Sequence, residues 1–147
     1  MTINGLILPN AFVEAVRQRC FIRARGSWEL LEKKDSWGDP LEAELGEVFD
    51  SEGRITQETE RLKRDFPSNP SELFHGPDPS ENEPGFIPPV TDFSKIICFG
   101  VSGEDDPFCL DFRTDPQSPE IIWWEDTYWR RVAPDWTSFV ALFDWTK

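Results

Sequence analysis

The residues whose types and spacing could do chemistry gather in a few places. The segment VSGEDDP sets Glu104, Asp105 and Asp106 in a row beside Gly103. Adjacent carboxylates can hold a divalent cation or receive a basic group. A calcium loop alternates its acids and closes on a late Glu, and this segment does neither, so the three acids read as a surface for a basic partner. His75 is the single histidine and has no Cys or second His nearby, which argues for a loop residue over a ligand or general base. Cys20, Cys98 and Cys109 are odd in number and lack Cys-x-x-Cys spacing, so neither a disulfide framework nor a zinc site follows. With 28 acidic residues a glycosidase-type carboxylate pair is easy to draw, and context singles out none. Phosphate-cradling loops with Lys, Gly-x-Ser-x-Gly elbows and Cys–His pairs are all missing from the sequence. The residues support a binding domain with no catalytic constellation, no metal and no cofactor.

Tryptophan supplies the other candidates. Trp123, Trp124, Trp129, Trp136 and Trp145 crowd the last quarter of the chain. Most such rings fill core volume, but Trp123 and Trp124 are neighbours on one strand and must point to opposite faces. Trp124, and Trp37 in a polar turn, are therefore the aromatic candidates for anchoring a partner beside the acids.

Composition narrows the partner. The 147 residues carry a formal charge of −13, with a sequence pI near 4.4. Such a chain does not bind a phosphate backbone unassisted, and it favours a basic protein. The charge is uneven: Arg17, Arg19, Arg23 and Arg25 lie at the front, and no Lys or Arg occurs between Arg64 and Lys95. The N-terminus lacks a charged segment followed by a long apolar one, and no apolar run reaches the roughly 18 residues of a membrane span. Free thiols and this start agree with a cytoplasmic protein.

These residues need a scaffold, and the sheet segments provide it. SKIICFG, PFCLDFR and EIIWWE are apolar runs separated by loops rich in Gly, Asp, Ser and Pro, the pattern of consecutive antiparallel strands. In PFCLDFR, Phe108, Leu110 and Phe112 share one face, opposite Cys109, Asp111 and Arg113. The other two runs are apolar at consecutive positions, which implies cover on both faces or an exposed aromatic surface on one; helices are the expected cover. A first helix capped by Asn10 carries Phe12, Val13, Val16 and Cys20 and is expected to end near Gly26. Trp28 to Leu31 suits a strand. Leu41, Ala43 and Leu45 alternate as in a strand, whereas Leu41, Leu45 and Val48 equally form a helical stripe; strand is the preferred reading. Ile55, Thr59, Leu62 and Phe66 stripe a helix over 51–66, with Lys63 and Arg64 in its last turn. A closing helix from Pro134 or Asp135 carries Trp136, Phe139, Val140 and Phe143. The Pro-rich stretch 67–92 holds Leu73, Phe74, Phe86 and Ile87 and reads as an ordered excursion from one domain spanning 1–147, not a linker. The class is α+β: a central, mostly antiparallel sheet flanked by N-terminal and C-terminal helices.

The run DFSKIICFGVSGEDDPFCLDFR, followed by PEIIWWEDTYWRRVAPDWTSFVALF, resembles the SUKH superfamily, the Smi/Knr-type proteins, in its bacterial branch. Ile97, Phe99, Gly100, Gly103, Asp106, Asp111, Arg113, Trp124 and Trp129 carry the resemblance. Leu8-Pro9-Asn10 is similar to the family's Leu-Pro start, while the Asn-Gly usual after its first helix is missing. The resemblance implies a non-enzymatic immunity protein that binds and neutralises a toxin, often a nuclease, delivered between competing bacteria. A second implied role is that of the fungal members, intracellular scaffolds in signalling. Either role works by surface recognition, and the partner-binding residues it points to here are Glu104, Asp105, Asp106, Trp37 and Trp124.

Overall fold

Apolar alternation in the second half of the chain becomes one antiparallel sheet. The computed structural model describes residues 1–22, 26–67 and 83–146. The chain opens with the hairpin β1 (Thr2–Ile3) and β2 (Leu6–Ile7), turned by Asn4 and Gly5 at φ 54° and 79°. This is the left-handed conformation that an Asn-Gly turn supplies at low cost. Helix α1 (Asn10–Arg17) follows, then β3 (Trp28–Glu29), β4 (Glu44–Val48) and helix α2 (Glu52–Asp65). Strands β5 (Ile96–Ser102), β6 (Pro107–Asp111), β7 (Glu120–Glu125) and β8 (Tyr128–Ala133) form a meander, and helix α3 (Trp136–Val140) ends the core. The six strands β3 to β8 pair in sequence order, every pair antiparallel. The architecture is α+β, as the pattern predicts.

Both sheet faces are covered, which explains the unbroken apolar runs. All of β5 and β6 is buried. On one face Phe99 and Phe108 meet Phe139 of α3, each at 5.4 Å between ring centres, and Phe12 of α1 packs edge-on to Phe99 and to Trp136 of α3. On the other face α2 packs on β5 through its buried Ile55, Thr59 and Leu62. Phe66, just past α2, meets Trp124, which meets Trp129. Cys98 and Cys109 are opposite one another across β5 and β6, free and buried. Desolvation first, and then the neighbouring thiol, push the Cys109 thiol well above its ordinary pKa, so it is held neutral as a small apolar side chain.

Several expected boundaries move, each for a local reason. Asn10 is the first helical residue, Pro9 precedes it as cap, and no side chain caps this end. α1 stops at Arg17 because Arg19 takes φ 61°, with Arg19 N–H donating to Val16 and Cys20 N–H to Ala15; this pair of bonds closes a helix through a left-handed residue. Cys20 is exposed beyond that turn. In β4 the register shifts between Leu45 and Glu47 against β5. That bulge buries Leu45 and Val48, three residues apart, on one strand and accounts for the helix-like spacing. α3 is a single short helix capped by Asp135, whose side chain accepts from Ser138 N–H at 2.8 Å. Phe143 is buried beyond it, bridged to Leu30. Of the Pro-rich stretch, 68–82 lies outside the described residues; Ile87 and Val90 after it are in the core.

Neither edge of the sheet is open. Along β3, Asp144 N–H donates to Glu29 and Leu31 N–H to Leu142. Along β8, Arg131 N–H donates to Gly85 and Ser36 N–H to Val132. The turn after β3 thus reaches the far edge and curls the sheet, and a buried ion pair holds it there. Arg130 of β8 meets Asp35 at the tip of this turn, with side chains 8% and 0% exposed. The other Asp35 oxygen accepts from the N–H groups of Trp37 and Asp39, while Arg130 also donates to the Pro40 carbonyl at 3.1 Å. Removing one member of such a pair strands the other charge, so Asp35→Ala is expected to lower the free energy of unfolding by about 3–5 kcal/mol in denaturant titration. Glu14→Ala, which breaks the exposed pair with Arg17, is expected to cost less than about 0.5 kcal/mol.

Candidate functional site

The acidic loop follows β5 directly, and two glycines fix its approach. A Cβ on Gly100 would stand 2.5 Å from the Glu47 carbonyl of β4, so only glycine lets these strands come so close. A Cβ on Gly103 would collide with the Glu44 carboxylate, which lies over that bare backbone. Ser102 then organises the turn: its hydroxyl accepts from the N–H groups of Glu104 and Asp106 at 3.3 and 3.1 Å, and its N–H donates to the Asp106 carbonyl. Asp105 sits at the apex with φ 70°.

The turn divides the three acids between two sides. Glu104 and Asp106 line a groove of about 500 Å³ whose wall also includes Glu29 of β3, Glu42, Glu44 of β4, and Trp123 of β7. Leu30, Leu41 and Ala43 add apolar surface, and Lys33 is the one cation among the lining residues. Asp105 instead turns toward α2, where its carboxylate lies 3.7 Å from Arg61. Arg61 also holds Glu58 at 2.6 Å and Asp65 at 3.2 Å, so α2 and the acidic loop are tied by charge. Trp37 is exposed on the turn pinned by Asp35 and lies outside the groove lining. Trp124 is half-buried on the other sheet face, between Phe66 and Trp129. The structure therefore brings Glu104 and Asp106 together and leaves Asp105, Trp37 and Trp124 on separate surfaces. His75 lies outside the described residues.

Asp106 feels this setting most. Partial burial first, then the charges of Glu104, Asp105 and Asp126, push its carboxyl up to about 6. Among the described residues no group of acids, cysteines and histidines is placed to hold a metal ion, so the carboxylates form an electronegative concavity, not a coordination sphere. Three groove acids, Glu29, Glu42 and Glu44, come from strand and loop positions more than 50 residues before the acidic loop; their part shows only once β3 and β4 join the sheet beside β5.

One further ion pair explains two of the residues that carry the resemblance. Asp111, buried at the end of β6, accepts two bonds of 2.9 Å from the Arg113 guanidinium and one of 3.0 Å from its N–H. This contact raises the Arg113 pKa further above its ordinary value. Asp111 and Arg113 thus close the end of β6 as a structural unit. A model of the SMI1 / KNR4 family (SUKH-1) matches residues 8–142.

The chain belongs to this family. Searches of curated proteins and of solved structures found no match. SUKH members are in general non-enzymatic proteins with interaction or immunity-type roles. Among the described residues no helix is long and apolar enough to cross a membrane.

The Asp106 environment sets a pH test. A carboxyl raised to about 6 in the folded state and ordinary in the unfolded state contributes stability below the unfolded value, near 4, and loses it as pH rises through about 6. Asp106→Asn removes that dependence. It is expected to be more stable than the parent at pH 7.5, with the difference vanishing near pH 4, in paired thermal melts across that range.

Proposed function

We propose that this SUKH protein is an immunity protein that binds a basic toxin domain, such as a nuclease, and neutralises it by covering its working surface. The observation that carries the reading is the acidic groove formed on a family scaffold whose members act by protein interaction. Nucleases that hold phosphate backbones present Lys and Arg, and an acidic concavity steers such a surface into contact. Electrostatic steering of this kind raises association rates by about 10–1000-fold at low salt. Glu104 and Asp106 stand at the centre of the proposed interface, while Asp105, Trp37 and Trp124, on separate surfaces, are proposed as further partner contacts outside the groove. No catalysis, cofactor, nucleic acid or membrane enters this role, and a reducing cytoplasm suits the three free cysteines.

A signalling adaptor of the Smi/Knr type is the second reading, favoured by the family match itself, which spans nearly the whole chain. The two separate in one experiment. Co-expression with toxins encoded beside this gene, scored by cell survival, is expected to show protection by the parent chain. In purified complexes, Asp105→Ala/Asp106→Ala is expected to cost about 2–5 kcal/mol of affinity and to flatten its salt dependence. Parent-level affinity and salt dependence in that variant would remove the acidic loop from the interface, and failure to protect against any neighbouring toxin would leave the adaptor.

A further inference from the structure

The groove has features that a general negative surface does not require. Its acids rim a floor made partly of Leu30, Leu41 and Trp123. Trp123 is 5% exposed, stacks on Phe108 at 5.6 Å, and has an indole N–H that donates to no acceptor. A volume of about 500 Å³ exceeds what one water-mediated ion pair needs and falls within the range of ligand sites.

The rim and the floor select one kind of occupant. A rim of carboxylates calls for a cation, and an apolar floor calls for an aliphatic stem that can lie on it while its charged head reaches the rim. A basic side chain has both a charged head and an aliphatic stem. Between the two basic residues the geometry favours arginine: its guanidinium is a planar fork of five donors able to serve several carboxylates at once and to stack on an indole, whereas the lysine ammonium is a compact, strongly hydrated point charge.

We infer that this groove is an arginine pocket: it takes one arginine of the partner protein, its guanidinium among Glu44, Glu104 and Asp106 and its stem on the apolar lining of Leu30, Leu41 and Trp123. The inference rests on the reading of the chain as a binder of a basic protein and names the residue type by which that partner is held. Anchors of this kind, arginine in a desolvated pocket, dominate interface energetics.

The probe is N-acetyl-arginine amide, with N-acetyl-lysine amide and the uncharged N-acetyl-citrulline amide as comparisons. The Trp123 indole N–H resonance, assigned by its loss in Trp123→Phe, reports occupancy. The arginine compound is expected to shift it saturably and to bind about tenfold more tightly than citrulline, the loss of one charge-assisted contact. Glu44→Gln/Asp106→Asn is expected to weaken the arginine compound by at least the same factor; Asp106→Asn alone, which relieves a strained charge, serves as the variant sure to keep its fold. No saturable shift, equal binding of citrulline, or equal binding of lysine overturns the pocket. The same variants go into the survival assay. Protection retained by Glu44→Gln/Asp106→Asn overturns the pocket and leaves the immunity reading standing, whereas a parent chain that binds the arginine compound and protects against no toxin keeps the pocket and ends that reading.

Discussion

The structure depends on a buried ion pair that joins the first third of the chain to its last strand. Asp35 and Arg130 meet out of solvent, and the turn that carries Asp35 crosses from the β3 edge to the β8 edge. The six strands themselves lie in sequence order, and this contact, with the Ser36 N–H bond to Val132, joins the turn after the first of them to the last. With it, the two ends of the turn, Lys33 and Leu41, are drawn against the sheet and become a wall of the groove. The pair is not an inexpensive fastener, since two charges leave water to make it and the Arg130 Nε–H finds no acceptor. Its worth lies in geometry: Asp35 also orders its own turn through two backbone N–H groups, so one side chain fixes both the shape of the loop and its place on the sheet.

The aromatic core and the groove share strands, which couples them. Trp123 belongs to both, stacking on Phe108 below while lining the cavity above. Phe99, Phe108 and Phe139 lock the sheet to α3 on the same face. A rigid floor of this sort holds charged groups in place without help from a ligand, and pre-organisation of charge is what turns an acidic surface into a recognising one. On the opposite face the acidic loop is braced by Arg61 of α2, which itself is anchored by Glu58 and Asp65.

Much of this was legible from residue spacing. The alternation in PFCLDFR, the stripe of α2 and the Asp135 start of α3 follow directly from periodicity and capping, because in each the deciding contacts are local. The hairpin β1 to β2 was also legible through Asn4-Gly5, a turn signal passed over when the N-terminus is read only as a lead-in to α1. Elsewhere the deciding contact is distant or conformational. Arg19 ends α1 by adopting a left-handed conformation that its residue type does not announce, and the β4 bulge makes a strand look like a helix stripe. Asp35 in a polar turn and Arg130 beside Arg131 look like solvated charges until the sheet curls. The acidic loop shows in the sequence as a run, but the groove does not, because Glu29, Glu42 and Glu44 reach it only through strand pairing, and the turn sends Asp105 the other way.

The closed edges of the sheet carry a consequence for the life of such a molecule. Residues 142–144 cover β3, and the segments around Ser36 and Gly85 cover β8, so fewer backbone donors and acceptors along these edges are offered to another strand. Covered edges and a formal charge of −13 act together here, since like-charge repulsion between copies also opposes self-association. The fold also leaves the loops at the ends of the strands free to drift in sequence while the hydrogen-bonded frame stays intact. Change of partner then needs new side chains on an old lattice, not a new fold.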